Sequence, residues 1–258
     1  YWRAYLFIED ATCFDQVEND EDFYQSALAF GNFQRLLADY PADTLHETIP
    51  DFHNTVKRFA NFKKAVEEDA CGRAADVQKE IQFVLEREQL AHTLVDLQEA
   101  GRLPLRVTHN DTKLNNIMID DATHKGICVI DLDTVMPGLS LNDFGDSIRF
   151  GASTAAEDEQ DISKVSCDLH LFDVYVKGFL EGCGGALTDL EIDMLPMGAI
   201  LMTFECGMRF LADHLEGDHY FRIHRENHNL DRARTQFKLV WDMEQKLSEM
   251  KAIVQKYK

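Results

Sequence analysis

The chain lacks any run of apolar residues close to the roughly 18 needed to cross a bilayer. Its longest such stretch, Met194 to Phe204, is too short to span and is expected to be a buried helix. It also lacks a basic excess. Lys and Arg number 26 against 46 Asp and Glu, a formal net charge of −20. Such a surface repels a phosphate backbone, so general nucleic-acid binding is excluded. There is no C-x-x-C pair among Cys13, Cys71, Cys128, Cys167, Cys183 and Cys206, and their wide spacing gives no metal signature. All six are read as reduced thiols. The opening Tyr1-Trp2-Arg3-Ala4-Tyr5 has neither the charged start nor the apolar centre of a signal peptide. Together these point to the cytoplasm, with no membrane partner. Proline and glycine are scarce (5 and 14), which excludes fibrous and low-complexity chains. There is no internal repeat. There is also no initiator Met, so a processed or partial chain is expected.

What is present is 45% hydrophobic residue content over 258 positions, enough for a sizeable core in one large domain or two small ones. Trp2 to Ile8 alternates weakly and is expected as a strand, followed by an acidic loop. Phe23, Ala27, Phe30, Phe33, Leu37 and Tyr40 recur at helical spacing, and Pro41 stops that helix. Leu45 to Thr55 is expected as a loop, and Ala74 to Ala100 as one helix closed by Gly101 and Pro104. Ile117-Met118-Ile119 and Ile127-Cys128-Val129-Ile130 are β-branched strand candidates, joined by a turn over 120–126. Beyond Pro137-Gly138 the pattern is helical, over 141–149, 163–180, 188–214 and 230–256. The fold class is therefore mostly α with a small β-hairpin.

The chemistry is concentrated around that hairpin. His109 to Asn116 (HNDTKLNN) fits H-x-D-x-x-x-x-N, and the second strand ends in Ile130-Asp131-Leu132-Asp133. Phosphoryl transfer needs a carboxylate that accepts the proton of the attacking hydroxyl, and Asp111 suits it. It also needs hard oxygen ligands for Mg²⁺, which Asn116 and Asp131 can supply from opposite sides of a hairpin. His109 would sit behind the loop and support its backbone. A plain polar turn would use Asp111 and Asn116 as local turn-formers. It would not require a second carboxylate after the next strand.

On these residues the chain resembles the aminoglycoside phosphotransferase and choline kinase family, within the protein kinase-like fold, and is closest to N-acetylhexosamine 1-kinases. Further matching blocks are FQRLL (33–37), LHETIPDFH (45–53), VIDLDTVMP (129–137), DFGDSIR (143–149) and MRFLADHLEGDHYF (208–221). The resemblance implies the C-terminal, α+β lobe of that fold, with residues 1–12 as the last N-lobe strand and hinge and 13–258 as the helical lobe. It implies Asp111 as the catalytic base, and Asn116 and Asp131 as Mg²⁺ ligands with Asp133 contributing. Phe7, Ile8 and Glu9 would meet the adenine of ATP. Arg209, Tyr220, His46 and His53 would contact a small-molecule sugar, and His109 and Asp146 would give structural support.

The chain departs from the family pattern in having no Gly-rich loop and no strand lysine before the hinge. The N-terminal lobe is read as largely absent, and the expectation is an intact protein that is active and a fragment that is not. Two alternatives stay open. One keeps the chemistry with another acceptor, an aminoglycoside, choline or homoserine. The other is a ligand-binding remnant.

Overall fold

Two short antiparallel ladders, one nested inside the other, organise the middle of the chain. They are seen in a computed structural model that describes residue 2 and residues 4–258. The outer ladder pairs β2 (Arg106–Thr108) with β5 (Met136–Gly138), with Thr108 opposite Met136. The inner one pairs β3 (Ile117–Asp120) with β4 (Gly126–Val129), with Ile117 opposite Val129. β1 (Ala11–Thr12) adds a third strand to the inner ladder through β3. The segments 109–116 and 130–135 are the two loops that join outer ladder to inner, so antiparallel pairing forces them side by side. That nesting sets the two loops in contact, the Ile130 N–H bonding the Asn116 carbonyl at 2.9 Å.

Helices surround the ladders. α1 (Asp20–Leu36) starts at an Asn19 cap whose side chain accepts from the Asp22 N–H, the usual remedy for unpaired N–H groups at a helix start. It buries Phe23, Ala27 and Phe30 against Tyr175 and Phe179 of α6 (Leu169–Cys183). α5 (Ser140–Gly151) follows β5 directly and is buried almost along its whole length. It lies on α8 (Leu195–Glu216) through two glycines. A Cβ on Gly145 would strike the carbonyl of Gly198, and one on Gly198 would meet the Leu141 oxygen at 2.7 Å. The two backbones can therefore approach with no side chain between them. α8 is apolar and long enough to cross a membrane by length and composition, but 78% of that window is buried within the protein. It is the central core helix, against which α2 (Thr55–Glu68), α5 and α9 (His228–Gln245) pack.

The mostly helical fold with small antiparallel sheets agrees with the sequence expectation, but several elements differ. Of the expected strand over Trp2–Ile8, residues 2 and 4–8 form no strand, and Trp2, Leu6 and Phe7 are exposed. Arg3 lies outside the described residues. Apolar alternation gives a strand only where a partner supplies hydrogen bonds, and among the described residues none flanks this stretch. α2 has no counterpart in the sequence reading, although Phe59, Phe62 and Ala65 form its buried stripe. The single helix expected over 74–100 is two, α3 (Gln78–Leu85) and α4 (Glu88–Glu99). At the break, the Arg87 guanidinium donates to the Phe83 carbonyl at 3.0 Å, the acceptor its own N–H would use in a continuous helix. The expected 188–214 helix divides into α7 (Asp189–Asp193) and α8, and the 230–256 helix into α9 and α10 (Leu247–Gln255). α6 begins at residue 169 rather than 163 because the Asp168 side chain caps His170 and Leu171.

Candidate active site

The loop 109–116 is held from below by α5. The Asp143 carboxylate accepts the backbone N–H groups of His109 (3.0 Å) and Asn110 (2.8 Å), and the Gln34 amide at 2.7 Å. Asp146, one turn on, accepts the Thr112 N–H at 3.1 Å. His109 is fully buried, with Phe30 and Phe33 edge-on to its ring. Its Nδ1 faces the Asp111 N–H at 3.3 Å, so Nε2 carries the proton and donates to the Ile130 carbonyl at 2.9 Å. One imidazole thus ties the loop that carries Asp111 to the end of β4. Thr134 adds a bond from Oγ1 to the His109 carbonyl at 2.7 Å. Asn110 (φ 65°) and Asp131 (φ 59°) both occupy the left-handed region, a strained conformation that recurs at functional loops.

Within this frame Asp111 and Asn116 touch. Asn116 Nδ2 donates to the Asp111 carbonyl (2.7 Å) and carboxylate (3.2 Å). The Ile130 N–H donates to the Asn116 carbonyl at 2.9 Å, so Asp131 begins one residue past the point where the strands meet. Lys113 Nζ lies 2.7 Å from Asp111 Oδ1. Burial works to lower the Lys113 pKa, but the bond to Asp111 and the charges of Asp111 and Asp146 outweigh it and hold it above the ordinary lysine value. Burial likewise works to raise Asp146, and Arg149, bonded to it at 2.9 Å, together with Lys113 brings it below the usual carboxylate range. Asp143 has no such cation. Burial pushes it up against the three N–H donors it accepts.

The donor set suits a hard cation. With its Nδ2 turned to Asp111, Asn116 has its oxygen left to offer, and the Asp131 carboxylate makes no hydrogen bond or ion pair among the described residues. Among the described residues no three His, Cys, Asp or Glu converge on a closed metal site. A Mg²⁺ ion that draws on phosphate and water needs only one or two carboxylates.

Asp111 faces a cleft of about 700 Å³ whose walls also carry Lys113, His53, Glu205, Arg209 and Tyr220. Arg209 is on α8, two turns beyond Met202. Its guanidinium lies over the rings of Phe52, Tyr220 and Phe221, at 5.3 to 5.5 Å, and donates to the Tyr220 hydroxyl at 3.3 Å. Tyr220 is presented by a loop that the buried Asp213 holds, its carboxylate accepting the N–H groups of His219, Tyr220 and Phe221 at 2.8 to 2.9 Å. His53 donates from Nδ1 to Glu205 at 3.0 Å. His46 is exposed on its loop and is not on the cleft wall, nor are Asp131 and Asp133, which lie exposed beyond β4. Phe7, Ile8 and Glu9 lie on the extended segment leading to β1, apart from the cleft wall, with Phe7 86% exposed.

The sequence reading passed over Lys113, Asp143, Gln34 and Glu205. Lys113 carried a signal, a cation two residues after Asp111. Asp143 and Gln34 lie in the DFGDSIR and FQRLL blocks. Glu205 sits in an apolar helix with nothing adjacent to mark it.

A family model described as the phosphotransferase enzyme family matches residues 2–165. The fold is similar to three solved structures. They are a choline kinase from Cryptosporidium parvum Iowa II (TM-score 0.57, 13% identity, 94% of this chain and 70% of that one), a choline/ethanolamine kinase family protein from Mesorhizobium loti (0.55, 16%, 97% and 73%), and a microcompartment-associated aminopropanol kinase (0.57, 19%, 94% and 65%). The chain thus spans between 65% and 73% of the length of these proteins. At such identities the likeness is one of fold.

Proposed function

The chain belongs to the phosphotransferase enzyme family, and from that premise we propose that it transfers the γ-phosphoryl group of ATP to the anomeric hydroxyl of an N-acetylhexosamine. The observation that carries the acceptor class is the wall opposite Asp111. There a guanidinium, Arg209, occupies the space between three aromatic rings and binds the Tyr220 hydroxyl. A cationic acceptor seeks aromatic faces for its own charge. Here they are taken by a fixed cation, with Arg58 close by, which favours a neutral polyhydroxyl ring.

The residues act as follows. Asp111 accepts the proton of the attacking hydroxyl through the carboxylate oxygen that Lys113 does not hold. Lys113 fixes that carboxylate and sets a positive charge beside the path of the transferred group. Asn116 orients Asp111 through its amide N–H. Asp143 and Asp146 keep the loop from shifting as charge moves. Asn116 and Asp131, with Asp133 contributing, would hold Mg²⁺, which supplies neutralisation of the phosphate oxygens. The base of the nucleotide is assigned to the Phe7–Glu9 segment, and the reducing conditions of the cytoplasm suit six free thiols.

The test is a panel of N-acetylglucosamine, N-acetylgalactosamine, choline, ethanolamine, homoserine and kanamycin with coupled detection of ADP, run on the full-length protein. Turnover with the N-acetylhexosamines and not the cationic acceptors is expected. Preferred turnover of choline or kanamycin overturns the sugar assignment and leaves the family chemistry standing.

A further inference from the structure

The cleft wall holds a buried polar pair that phosphoryl transfer does not use. Glu205, on the inner face of α8, is 1% exposed, and the His53 side chain is 9% exposed. Glu205 spends one carboxylate oxygen, Oε1, on His53 Nδ1 at 3.0 Å, and the same oxygen is 3.9 Å from Arg209 Nη1. Its other oxygen, Oε2, is buried without a hydrogen-bond partner among the described residues, and so is the far nitrogen of His53, Nε2. Both side chains line the cleft that Asp111 faces. Buried polar atoms are rarely left unbonded in a folded protein, because each lost bond costs free energy that folding cannot recover elsewhere. Two such atoms on adjacent residues, on the wall where the acceptor is assigned, point to a ligand that completes them.

Resting on the acceptor reading above, we propose that Glu205 is a specificity-determining residue whose Oε2 receives a hydrogen bond from a ring hydroxyl or amide N–H of the acceptor. His53 is its positioning residue. In both its neutral Nδ1–H form and its protonated form His53 donates from Nδ1, so it fixes the carboxylate in either state. Its Nε2 then meets a neighbouring polar group of the same ligand. Glu205 requires a donor, which a quaternary ammonium does not have. Arg58 and Arg209 beside it repel a cation and leave a neutral hydroxyl or amide as the fitting partner. Sites built this way discriminate strongly against an analogue lacking the one group, because the protein atom is then left buried and unpaired.

The experiment is calorimetric binding of N-acetylglucosamine and its singly deoxygenated analogues to this chain, wild type, Glu205→Gln and His53→Asn, with unfolding midpoints recorded for each. No nucleotide is required. His53→Asn retains a donor near Nδ1 and deletes Nε2, so it reports on the pair if Glu205→Gln does not fold. For the wild type, one analogue is expected to bind about tenfold or more weaker than the parent. In Glu205→Gln the parent weakens by a similar factor and that analogue loses little further, a coupling that a purely structural residue does not produce. If every analogue loses the same factor in both variants as in the wild type, Glu205 is structural and the proposal is overturned while the sugar assignment stands. If no N-acetylhexosamine binds the wild type, the sugar assignment falls and takes this inference with it.

Discussion

Replacing Asp111 by Asn keeps the side chain's shape, and its oxygen can still accept from Lys113, but the amide cannot take up a proton. The expected result is a fall in kcat of about 10²- to 10⁴-fold with acceptor binding little changed. Pre-steady-state kinetics with calorimetric acceptor binding measure both, and a near-normal kcat rejects Asp111 as the base. Asp131→Asn is expected to raise the Mg²⁺ concentration needed for half-maximal turnover about tenfold or more, since a neutral oxygen replaces a charged ligand. A Mg²⁺ titration of activity, with chelator as the zero point, decides it. At this scale the sequence was informative where chemistry is local. Asp111 and Asn116, five residues apart on one loop, are in hydrogen-bond contact, whereas Asp131, past the hairpin, lies exposed and off the cleft wall. Glu205 was illegible for the opposite reason. Its partner His53 is 152 positions away, and an isolated acid in an apolar helix gives no hint of which wall it will face.

Among the elements, α5 carries the most consequence for the site. Asp143→Ala would leave the N–H groups of His109 and Asn110 and the Gln34 amide buried and unpaired. At about 1 kcal/mol or more for each orphaned donor, a loss of at least about 3 kcal/mol in denaturant unfolding is expected, together with loss of activity. Gly145→Ala should cost about 1–3 kcal/mol, because the new methyl meets the Gly198 backbone, which cannot swing aside as a side chain would. Stability equal to wild type would show that α5 and α8 are not in backbone contact. The hairpin strands were legible from β-branched runs bounded by turn residues, and α1 from its apolar spacing. The break between α3 and α4 was not, because an apolar stripe continues in register across Arg87. What ends the helix there is a side chain bonding its own backbone and, through Glu244 at 2.8 Å, a helix 157 positions on.

For the molecule as a whole, three buried carboxyls contribute to the response to acid. Burial works to raise Asp146 and Glu191, but their cation and hydrogen-bond partners, Arg149 and Arg106 foremost, bring both below their ordinary values of 3.8 and 4.5. Groups depressed on folding lend stability that is complete above the unfolded pKa and is lost as pH falls through the folded one. Asp143, raised by burial, acts in the opposite sense and favours its protonated form in the fold. Asp158, Asp193 and Asp242 are depressed as well, against Glu216 raised, so the depressed groups predominate and the unfolding midpoint is expected to decline as pH drops from about 5 to about 3. Glu191→Gln should flatten that slope, which calorimetry across the range would show, and an unchanged slope would remove Glu191 from the account. The mostly helical architecture was legible from periodicity alone. The nesting of the ladders was not, since β5 is three residues containing a proline and declares itself only by pairing with β2. The bare-backbone seam between α5 and α8 sets a limit on how this scaffold can diversify. With the Asp111 loop anchored to one helix and Glu205 and Arg209 rooted in the other, the span between them behaves as a fixed gauge. Acceptors of different girth must then be admitted by remodelling the loop that bears Tyr220, the side of the cleft that no such seam locks.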